Sequence, residues 1–238
     1  MSARFYLPVP FRAGDTIELP EDVSRHAGLA KRMRDGEAIT LFDGKGASAA
    51  GTLTFKSGRA FCEMKETFQK SAPKLKLTLI QALIAQEKLD FVLEKATELG
   101  VSKIVICPTK RSVVELSGAR REKRLAQWVL KVTAACEQSG NDFVPEVLWA
   151  DSLEVALNAA SDEVKWILSP DQSSPLAIKG VSSAAFAVGP EGGFTDEELE
   201  IAIKSGFKPA LLGPRILRTE TAGLVALTVA QREAGDLH

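Results

Sequence analysis

The sequence predicts an α/β protein in which a small β-rich domain precedes a larger domain built on a parallel sheet. Short β-type segments separated by glycine-containing turns fill residues 1–72. From Leu75 onward, apolar strands alternate with amphipathic helices, which is the pattern of a parallel sheet with helices on its faces. The stretch 71–74 lies between the two patterns and reads as a linker, so the predicted domains are 1–72 and 73–238.

The N-terminal domain is predicted to contain short strands and one helix. The strands are expected at 4–7, 16–19, 38–42, 47–55 and 59–68, and the helix at 22–33. A basic cluster without any acidic residue falls at and after this helix and consists of Arg25, His26, Lys31, Arg32 and Arg34. Such a cluster indicates a surface that contacts RNA phosphates, although a solvated helix face would have the same composition.

The C-terminal domain is predicted to alternate strands with helices. Strands are expected at 75–83, 103–107, 146–149, 164–168, 184–188 and 210–212, and helices at 87–99, 121–138 and 219–232, with shorter helices starting near Ser152 and Thr195. Gly100 follows the first helix where a left-handed residue commonly ends one. The last helix is rich in Ala, Leu and Val almost all round, which predicts burial on more than one side, including by a partner subunit.

Composition and charge exclude several classes of protein. The net charge of −1 argues against a protein that coats nucleic acid non-specifically. Cys62, Cys107 and Cys136 are too widely spaced for a disulfide framework or a zinc site, which favours reduced thiols and a cytoplasmic location. His26 and His238 lie far apart, so no metal is predicted. No apolar run approaches the roughly 18 residues of a membrane span, and we expect a soluble, intracellular protein.

The common nucleotide and hydrolase motifs are also absent from the sequence. Neither the GxxxxGK[ST] phosphate loop nor the GxGxxG dinucleotide fingerprint follows a predicted strand. No GxSxG nucleophile elbow occurs. Nucleotide hydrolysis, dinucleotide binding and serine-hydrolase chemistry therefore lose their usual sequence support.

Two glycine-containing loops near the end of the chain form the predicted ligand site. Residues 188–195, VGPEGGFT, and residues 212–221, LGPRILRTET, each follow an apolar strand and lead into a helix. Glycine lets the backbone approach a ligand closely and adopt positive φ. Two such loops at neighbouring strand ends would form a pocket lined by main-chain donors and acceptors. Gly and Pro are also ordinary turn residues, so either loop alone could be purely structural.

Charged side chains in these loops favour a binding site over plain turns. Arg215, Arg218 and Glu220 fall within six residues, where a simple turn would need none. The carboxylate of Glu191 would repel a triphosphate and suits a zwitterionic or cationic ligand. Thr195 with its capping partner Glu198 is an ordinary helix start.

Several motifs resemble those of one known family. The most specific are GPEGGF at 189–194 and LGPRILRTETA at 212–222. Shorter matches are EKATELG at 94–100, RSV at 111–113, EQSG at 137–140, VPE at 144–146 and FDGKG at 42–46. Together they extend over nearly the whole chain, which resembles the RsmE family of SPOUT-class methyltransferases.

The resemblance implies methylation of N3 of a uridine in 16S small-subunit ribosomal RNA, with S-adenosyl-L-methionine as donor and S-adenosyl-L-homocysteine as product. It also implies a trefoil knot in the C-terminal domain, a PUA-like RNA-binding β-barrel at the N-terminus, and a homodimer whose subunits complete each other's sites. The expected substrate is rRNA in an assembled 30S particle. Asn141, Asp142 and Phe143 stand where the family usually carries basic residues, so RNA contacts there would be weakened or replaced.

The two loops, the basic cluster and the resemblance together predict roles for individual residues. Arg218 is the expected catalytic arginine, and Glu191 and Glu220 are the candidate bases, although Glu220 would also suit a helix N-terminus. The expected cofactor-binding residues are Leu168, Ser169, Gly189, Pro190, Glu191, Gly192, Gly193, Leu212, Gly213, Ile216, Leu217, Arg218, Thr221 and Ala222. The expected RNA-binding residues are Arg25, His26, Lys31, Arg32, Arg34 and Arg111.

Two alternatives to this function remain open. The chain could be a SPOUT enzyme that methylates another RNA position, such as a ribose 2′-hydroxyl. It could also be a non-catalytic ribosome-assembly protein that keeps the fold for RNA binding, although an abandoned pocket would not need both glycine loops intact.

Overall fold

The structure, a computed structural model, describes residues 2–170 and 174–238. The chain divides into two compact units, one formed by the residues up to Ala72 together with Cys136–Val144, the other by Pro73–Ala135 and Pro145–His238. The first change of unit therefore coincides with the predicted linker. The predicted second domain, 73–238, also included residues 136–144, and these lie in the first unit instead.

The first unit contains a sheet whose strands follow the order β1-β3-β4-β5-β2. These strands are β1 (Ala3–Tyr6), β2 (Thr16–Glu18), β3 (Ala38–Phe42), β4 (Ala47–Lys56) and β5 (Arg59–Gln69). β1 and β3 are parallel, whereas the β3–β4, β4–β5 and β5–β2 pairs are antiparallel. Alternate residues face a core that includes Phe5, Leu41, Leu53 and Cys62, as the period of two along a strand requires.

The predicted helix 22–33 is shorter in the structure than in the sequence analysis. α1 (Glu21–Arg25) ends after five residues and continues as a π-helical turn, His26–Ala30. Arg32 then adopts a left-handed backbone, with φ of 52°. A left-handed residue cannot continue a right-handed helix, so Arg32 lies after the helix rather than on it.

Residues 136–144 join the first unit through a buried carboxylate. Asp142 is only 1% exposed and forms ion pairs with Arg4 and, at 2.8 Å, with Lys70. The backbone carbonyl of Asp142 also accepts a hydrogen bond from the N–H of Gly46 at 3.1 Å. A carboxylate buried this deeply must be paired, because an unpaired charge in the interior is strongly unfavourable. The departure from the family pattern at this position is therefore a structural ion pair.

The second unit is built on a parallel sheet with the strand order β11-β9-β10-β6-β7-β8. Its strands are β6 (Lys76–Ala82), β7 (Lys103–Cys107), β8 (Glu146–Trp149), β9 (Val164–Leu168), β10 (Ser183–Val188) and β11 (Lys208–Ala210). All of the adjacent pairs are parallel, which confirms the predicted parallel sheet. The inner strands are apolar and buried along most of their length, as expected where helices cover both faces.

The helices of this unit begin and end close to their predicted bounds. They are α2 (Gln86–Glu98), α3 (Gly118–Ser139), α4 (Leu153–Asn158), α5 (Asp196–Lys204) and α6 (Thr219–Ala234), and only the end of α3, from Cys136, belongs to the first unit. Gly100 has φ of 74°, the left-handed value predicted for the residue that ends α2. The side chain of Ser152 caps α4 by accepting a hydrogen bond from the N–H of Val155 at 3.2 Å. In the described part of the chain, the helices are too short or too polar to cross a membrane.

The order in which the chain adds strands to the sheet reverses between β6 and β10. From β6 the chain adds β7 and β8 toward one edge, whereas β10, β9 and β11 lie on the other side of β6. In open α/β sheets, ligands bind beyond the carboxyl ends of strands at such a switch point. The last strand also ends earlier than predicted, at Ala210, so Leu211 and Leu212 leave the ladder and are free to form a loop there.

Candidate active site

A cavity of about 450 Å³ lies beyond the carboxyl ends of β9, β10 and β11. This volume falls in the range of about 300–1,000 Å³ that is typical of small-molecule sites. Most of its wall comes from the loops that follow these three strands. The residues that line it are Lys88, Arg111, Leu168, Ser169, Pro170, Val188, Gly189, Pro190, Glu191, Gly192, Gly193, Phe194, Ala210, Leu211, Leu212, Arg215, Ile216, Leu217, Arg218, Thr219, Glu220 and Ala222.

The first wall of the cavity is the glycine loop, which we define as residues 189–194. Gly193 has φ of 69°, a left-handed conformation that a side chain would strain. A Cβ on Gly189 would lie 3.2 Å from Cδ2 of Phe194 and 3.3 Å from the carbonyl carbon of Gly193. The loop folds back on itself this tightly because it lacks side chains at these positions.

Arg111 reaches the glycine loop from the turn that follows β7. One guanidinium nitrogen, Nη1, donates hydrogen bonds to the carbonyls of Gly192 at 2.7 Å and Phe194 at 3.2 Å. A Cβ on Gly192 would lie 3.2 Å from the Cβ of Arg111, so the glycine makes room for the arginine stem. Arg111 therefore fixes two carbonyls of a loop whose own backbone lines the cavity.

Glu198 also connects the turn that follows β7 with the end of the glycine loop. Its carboxylate accepts one hydrogen bond from the N–H of Thr195 at 2.9 Å and another from the N–H of Lys110 at 2.8 Å. The first belongs to the predicted capping box of α5, which the structure contains. The second is a long-range contact that the capping pattern did not predict.

Glu191 forms an ion pair at the rim of the cavity. Its Oε1 lies 2.7 Å from Nζ of Lys88, at the start of α2. Partial burial alone would raise the pKa of Glu191, but the hydrogen bond from Lys88 and the charge of that ammonium outweigh it. The pKa therefore lies below its ordinary value of 4.5, and the group is ionised at neutral pH.

Glu220 presents a different carboxylate to the same cavity. Its Oε2 is inaccessible to solvent and lacks a hydrogen-bond donor among residues 2–170 and 174–238. Buried acceptors in proteins are generally satisfied, so a free one at a cavity wall indicates a ligand that carries a donor. Glu220 lies in the first turn of α6, beside Arg218 at the N-cap position.

The second wall is the loop between β11 and α6, residues 211–218. Arg215, Ile216 and Arg218 are exposed, and the side chain of Ile216 is 84% exposed although it lines the cavity. The N–H of Leu211 donates to the carbonyl of Ser174 at 3.1 Å, which holds the start of the loop next to the segment that follows β9.

Most of the expected cofactor-binding residues line this one cavity. Those that do are Leu168, Ser169, Gly189, Pro190, Glu191, Gly192, Gly193, Leu212, Ile216, Leu217, Arg218 and Ala222. Gly213 and Thr221 are not among the residues that line it. Gly213 has φ of 140° and shapes the loop, whereas Thr221 is an exposed residue of α6.

The residues expected to bind RNA belong to both units. Arg111 lies at the cavity of the second unit, with part of its guanidinium bound to the glycine loop. The other members are exposed in the first unit and consist of Arg25, His26, Lys31, Arg32 and Arg34. Two of them pack on Phe5: Nζ of Lys31 lies 5.1 Å from its ring centroid, and the His26 ring meets it edge-on at 6.1 Å.

Several residues of the cavity were not among those expected to bind the cofactor. Lys88 lies outside the two predicted loops, whereas Phe194 and Thr219 lie within them. A signal for Lys88 was present, since it follows the carboxyl end of the first predicted strand of the domain, at the same edge of the sheet as the loops. Thr219 begins the last helix and reads in sequence as a helix start only.

Metal and thiol chemistry find no support in the described residues. They contain no cluster of three or more His, Cys, Asp or Glu side chains that could hold a metal ion. Cys107 is fully buried near the cavity, and burial, with a smaller contribution from Glu198, raises the pKa of its thiol to about 12. A thiol with so high a pKa is inert at neutral pH.

The family model described as an RNA methyltransferase domain matches residues 70–231. Ribosomal RNA small subunit methyltransferase E of Mycobacterium bovis is 30% identical over 233 residues, which cover 94% of this chain and 88% of the relative. The protein of the same name from Bacillus subtilis is 29% identical over 226 residues, which cover 90% of this chain and 88% of the relative.

Two solved structures resemble the whole chain. Ribosomal RNA small subunit methyltransferase E of Neisseria gonorrhoeae, bound to S-adenosyl methionine, is 38% identical, with a TM-score of 0.92 and coverage of 100% of both chains. A methyltransferase of Legionella pneumophila, in complex with the bound cofactor SAM, is 33% identical, with a TM-score of 0.93 and coverage of 100% of both chains.

Proposed function

We propose that this chain, which belongs to the ribosomal RNA small subunit methyltransferase E family, methylates N3 of a uridine in small-subunit rRNA with S-adenosylmethionine as donor. The cavity beyond β9, β10 and β11 is the active site in this proposal. The main observation in support of the proposal is that the two segments with the most specific family motifs, 189–194 and 212–222, meet at one cavity.

The cavity has the chemistry that S-adenosylmethionine requires. Gly189, Gly192 and Gly193 line it with main chain, which suits the edges of an adenine and a ribose. Two carboxylates, Glu191 and Glu220, face it, and Glu220 has a buried oxygen without a donor. The ligand carries an ammonium and a sulfonium, and these two carboxylates attract both cations.

The reaction needs alignment and charge stabilisation from this chain. S-adenosylmethionine, when bound, supplies an electrophilic methyl group on a positively charged sulfur. The glycine loop holds the donor in a fixed orientation through its backbone, and such alignment can contribute up to about 7–11 kcal/mol in ideal intramolecular cases. Arg218, exposed at the cavity, stabilises the negative charge that develops on the uridine oxygens, or holds the phosphate of the target nucleotide.

The proton on N3 of the uridine must also leave, and two carboxylates are candidates to accept it. Oε1 of Glu191 is already engaged by Lys88 at 2.7 Å, and its lowered pKa makes it a weak base. Oε2 of Glu220 has no donor among the described residues. We therefore favour Glu220 as the base, its carboxylate turning toward the cavity to reach N3, with a contribution of about 10²–10⁴-fold to the rate.

We propose a trefoil knot for the C-terminal segment. The support is topological: β11 lies at the edge of the sheet, whereas α6, which follows it directly, packs against β6 and β10 near the middle. The connecting loop 211–218 must therefore cross the carboxyl ends of the strands between them.

For the first unit we propose a PUA-like barrel, with the basic cluster Arg25 to Arg34 as its RNA surface.

We further propose that the enzyme works as a homodimer on an assembled 30S particle in the cytoplasm, where small subunits are made. The outward side of α6 supports the dimer, because Leu224, Val225 and Val229 are apolar and only partly buried. A partner subunit would cover this surface. Sedimentation of the purified protein tests the dimer directly.

The function is tested by methylation of purified small subunits that lack the modification, followed by digestion and mass spectrometry of the nucleosides. We expect 3-methyluridine, and we expect it from 30S particles at a higher rate than from naked rRNA. A 2′-O-methylated nucleoside would show that the enzyme methylates the ribose and not the base. Failure to bind S-adenosylmethionine in calorimetry would support a non-catalytic assembly protein.

A further inference from the structure

A glutamine lies in the interior of the most apolar strand of the second unit. Gln81, near the carboxyl end of β6, is 0% exposed, and its neighbours along the strand are buried apolar side chains. A leucine or methionine at this position could pack without any need for hydrogen bonds. A buried polar side chain at such a position therefore needs a physical explanation.

The side-chain amide of Gln81 starts a short relay of hydrogen bonds. Its Nε2 donates to Oγ1 of Thr219 at 3.1 Å and to the carbonyl of Ala82 at 3.2 Å. Oγ1 of Thr219 in turn donates to the carbonyl of Gly189 at 2.6 Å. The relay runs from the middle of the sheet, through the first residue of α6, to the first residue of the glycine loop.

Each bond in the relay has only one possible direction. The carbonyls of Ala82 and Gly189 can only accept, so Nε2 rather than Oε1 of Gln81 must face Ala82. Nε2 is then also the atom that faces Thr219, and the hydroxyl of Thr219 accepts from it. Because that hydroxyl already receives a proton from Gln81, its own proton points to Gly189. The glutamine amide therefore sets the direction of the threonine hydroxyl.

The relay leaves one buried atom unsatisfied. Oε1 of Gln81 is inaccessible and lacks a partner among residues 2–170 and 174–238. An unsatisfied buried acceptor destabilises a fold. The position is thus poor for stability alone, which favours a role in the site.

We infer that Gln81 and Thr219 are positioning residues that hold the two walls of the cavity in register. Thr219 lies between Arg218 and Glu220, both of which line the cavity, and its hydroxyl joins this segment to Gly189. Gln81 anchors the pair to β6. This inference rests on the proposed function, because the register matters for holding S-adenosylmethionine between the loops.

The close approach of α6 to the sheet makes this relay possible. A Cβ on Gly223 would lie 3.2 Å from Cδ1 of Leu79 and 3.3 Å from Cγ2 of Val188. The absence of a side chain at Gly223, one turn after Thr219, lets the helix lie near enough for the threonine to reach both Gln81 and Gly189.

The central test is Thr219→Val, which keeps the shape of the side chain and removes its hydroxyl. The carbonyl of Gly189 then loses its donor, and we expect S-adenosylmethionine to bind about tenfold more weakly in calorimetry. Thr219→Ser restores the hydroxyl and should recover most of that loss. Affinity within twofold of the unaltered protein for Thr219→Val would overturn the inference.

The chain offers a matched control for this substitution. Thr97 in α2 is 0% exposed, and its Oγ1 donates to the carbonyl of Leu93 at 2.7 Å, a bond of the same kind outside the cavity. Thr97→Val should lower the midpoint of denaturant unfolding about as much as Thr219→Val, with no change in affinity for S-adenosylmethionine. An equal loss of affinity in both variants would make the role of Thr219 merely structural and sink the proposal.

A double-mutant cycle tests the part of Gln81. Gln81→Met removes the donor to Thr219 with little change in volume, and we expect a loss of affinity of about threefold to tenfold. Because both residues act through one relay, the double variant Gln81→Met/Thr219→Val should bind no more weakly than Thr219→Val alone. Additive losses would refute the relay.

The failure of this inference can be told apart from the failure of the proposed function. If the unaltered protein does not bind S-adenosylmethionine, the function fails, and the positioning role fails with it. If the unaltered protein binds the donor and methylates rRNA while the affinity of Thr219→Val is unchanged, only the positioning role fails.

Discussion

The two walls of the cavity differ in how they are held. The glycine loop is fixed from outside by side chains, since Arg111 binds two of its carbonyls and Thr219 binds a third. In the second wall, 211–218, residues 212–217 take part in no side-chain hydrogen bond with the described residues, 2–170 and 174–238. Three of its side chains, Arg215, Ile216 and Arg218, are exposed.

This difference indicates that the first wall is organised before the ligand binds, whereas the second becomes organised on binding. A wall held by hydrogen bonds is already organised before a ligand arrives. The loop therefore loses little conformational entropy when the ligand binds. A wall of exposed side chains can make most of its contacts only with the ligand or the RNA. Substitutions in the first wall should therefore change the ligand-free protein, and substitutions in the second should act only on binding and catalysis.

The largest effect is expected at Arg218, in the second wall. Arg218→Ala should lower the single-turnover rate of methyl transfer by about 10²–10³-fold, because it removes a charge that stabilises the transition state. Its side chain makes no capping hydrogen bond at the start of α6, so the fold and the affinity for S-adenosylmethionine should survive. Arg232→Ala, an exposed arginine at the other end of α6, is the control. Unchanged turnover in Arg218→Ala would remove this residue from the mechanism.

The next effect is expected at Arg111, in the support of the first wall. Arg111→Ala should weaken S-adenosylmethionine binding by about tenfold, because two loop carbonyls lose a charged donor. Calorimetry measures this, with the exposed Arg120→Ala as control. The same variant separates the structural role from the expected RNA-binding role. Weaker binding of RNA with normal affinity for S-adenosylmethionine would assign Arg111 to RNA contact alone.

A smaller effect is expected at Ile216, which tests whether the second wall acts only with a ligand present. Because Ile216 is 84% exposed, Ile216→Ala should change the free energy of unfolding by no more than about 0.5 kcal/mol. Affinity for S-adenosylmethionine should fall by about threefold to tenfold, since the ligand would cover this side chain. Ile203→Ala, 53% exposed on α5, is the matched control. A clear loss of stability without ligand would contradict the proposed difference between the walls.

The smallest effect is expected from the ion pair between Lys88 and Glu191. The pKa of Glu191 is lowered in the folded protein, so the pair stabilises the fold above the ordinary pKa of 4.5. That contribution is lost as the pH falls through the lowered pKa. Both side chains are about one-third exposed, at 31% and 39%, which limits it to about 0.2–1 kcal/mol.

Denaturant unfolding of Glu191→Gln at a series of pH values measures this contribution. The unaltered protein should be slightly more stable than the variant at pH 7, and the two should converge in acid. A difference that persists or grows on acidification would mean that the pair does not cause it. Glu233→Gln, an exposed glutamate of α6, serves as the control.

Local patterns were sufficient to predict most elements of the second unit. The predicted strands 103–107, 146–149 and 164–168 have the bounds of β7, β8 and β9, because apolar runs between polar turns mark a buried strand. The predicted helix 22–33 was too long, because a helical composition does not reveal where a π-helical turn and a left-handed residue such as Arg32 end the helix.

Contacts between distant parts of the chain were beyond the reach of these patterns. Asp142 reads as one polar residue after a helix, yet in the fold it is buried against Arg4 and Lys70. Gly213 and Thr221 belong to the motif 212–222 but do not line the cavity. Membership of a motif does not determine which way each residue faces, because the loop geometry sets that direction.

The sequence by itself determined the fold class, the position of the two loops and the chemical family, since periodicity, glycine spacing and motifs are local properties of the chain. Only the tertiary structure decided which groups meet at the cavity. Gln81, Thr219 and Gly189 are separated by up to 138 residues along the chain, and their hydrogen bonds exist because the sheet order places β6 beside β10. A hydrogen bond requires atoms within about 3 Å of each other, and that proximity is a property of the fold.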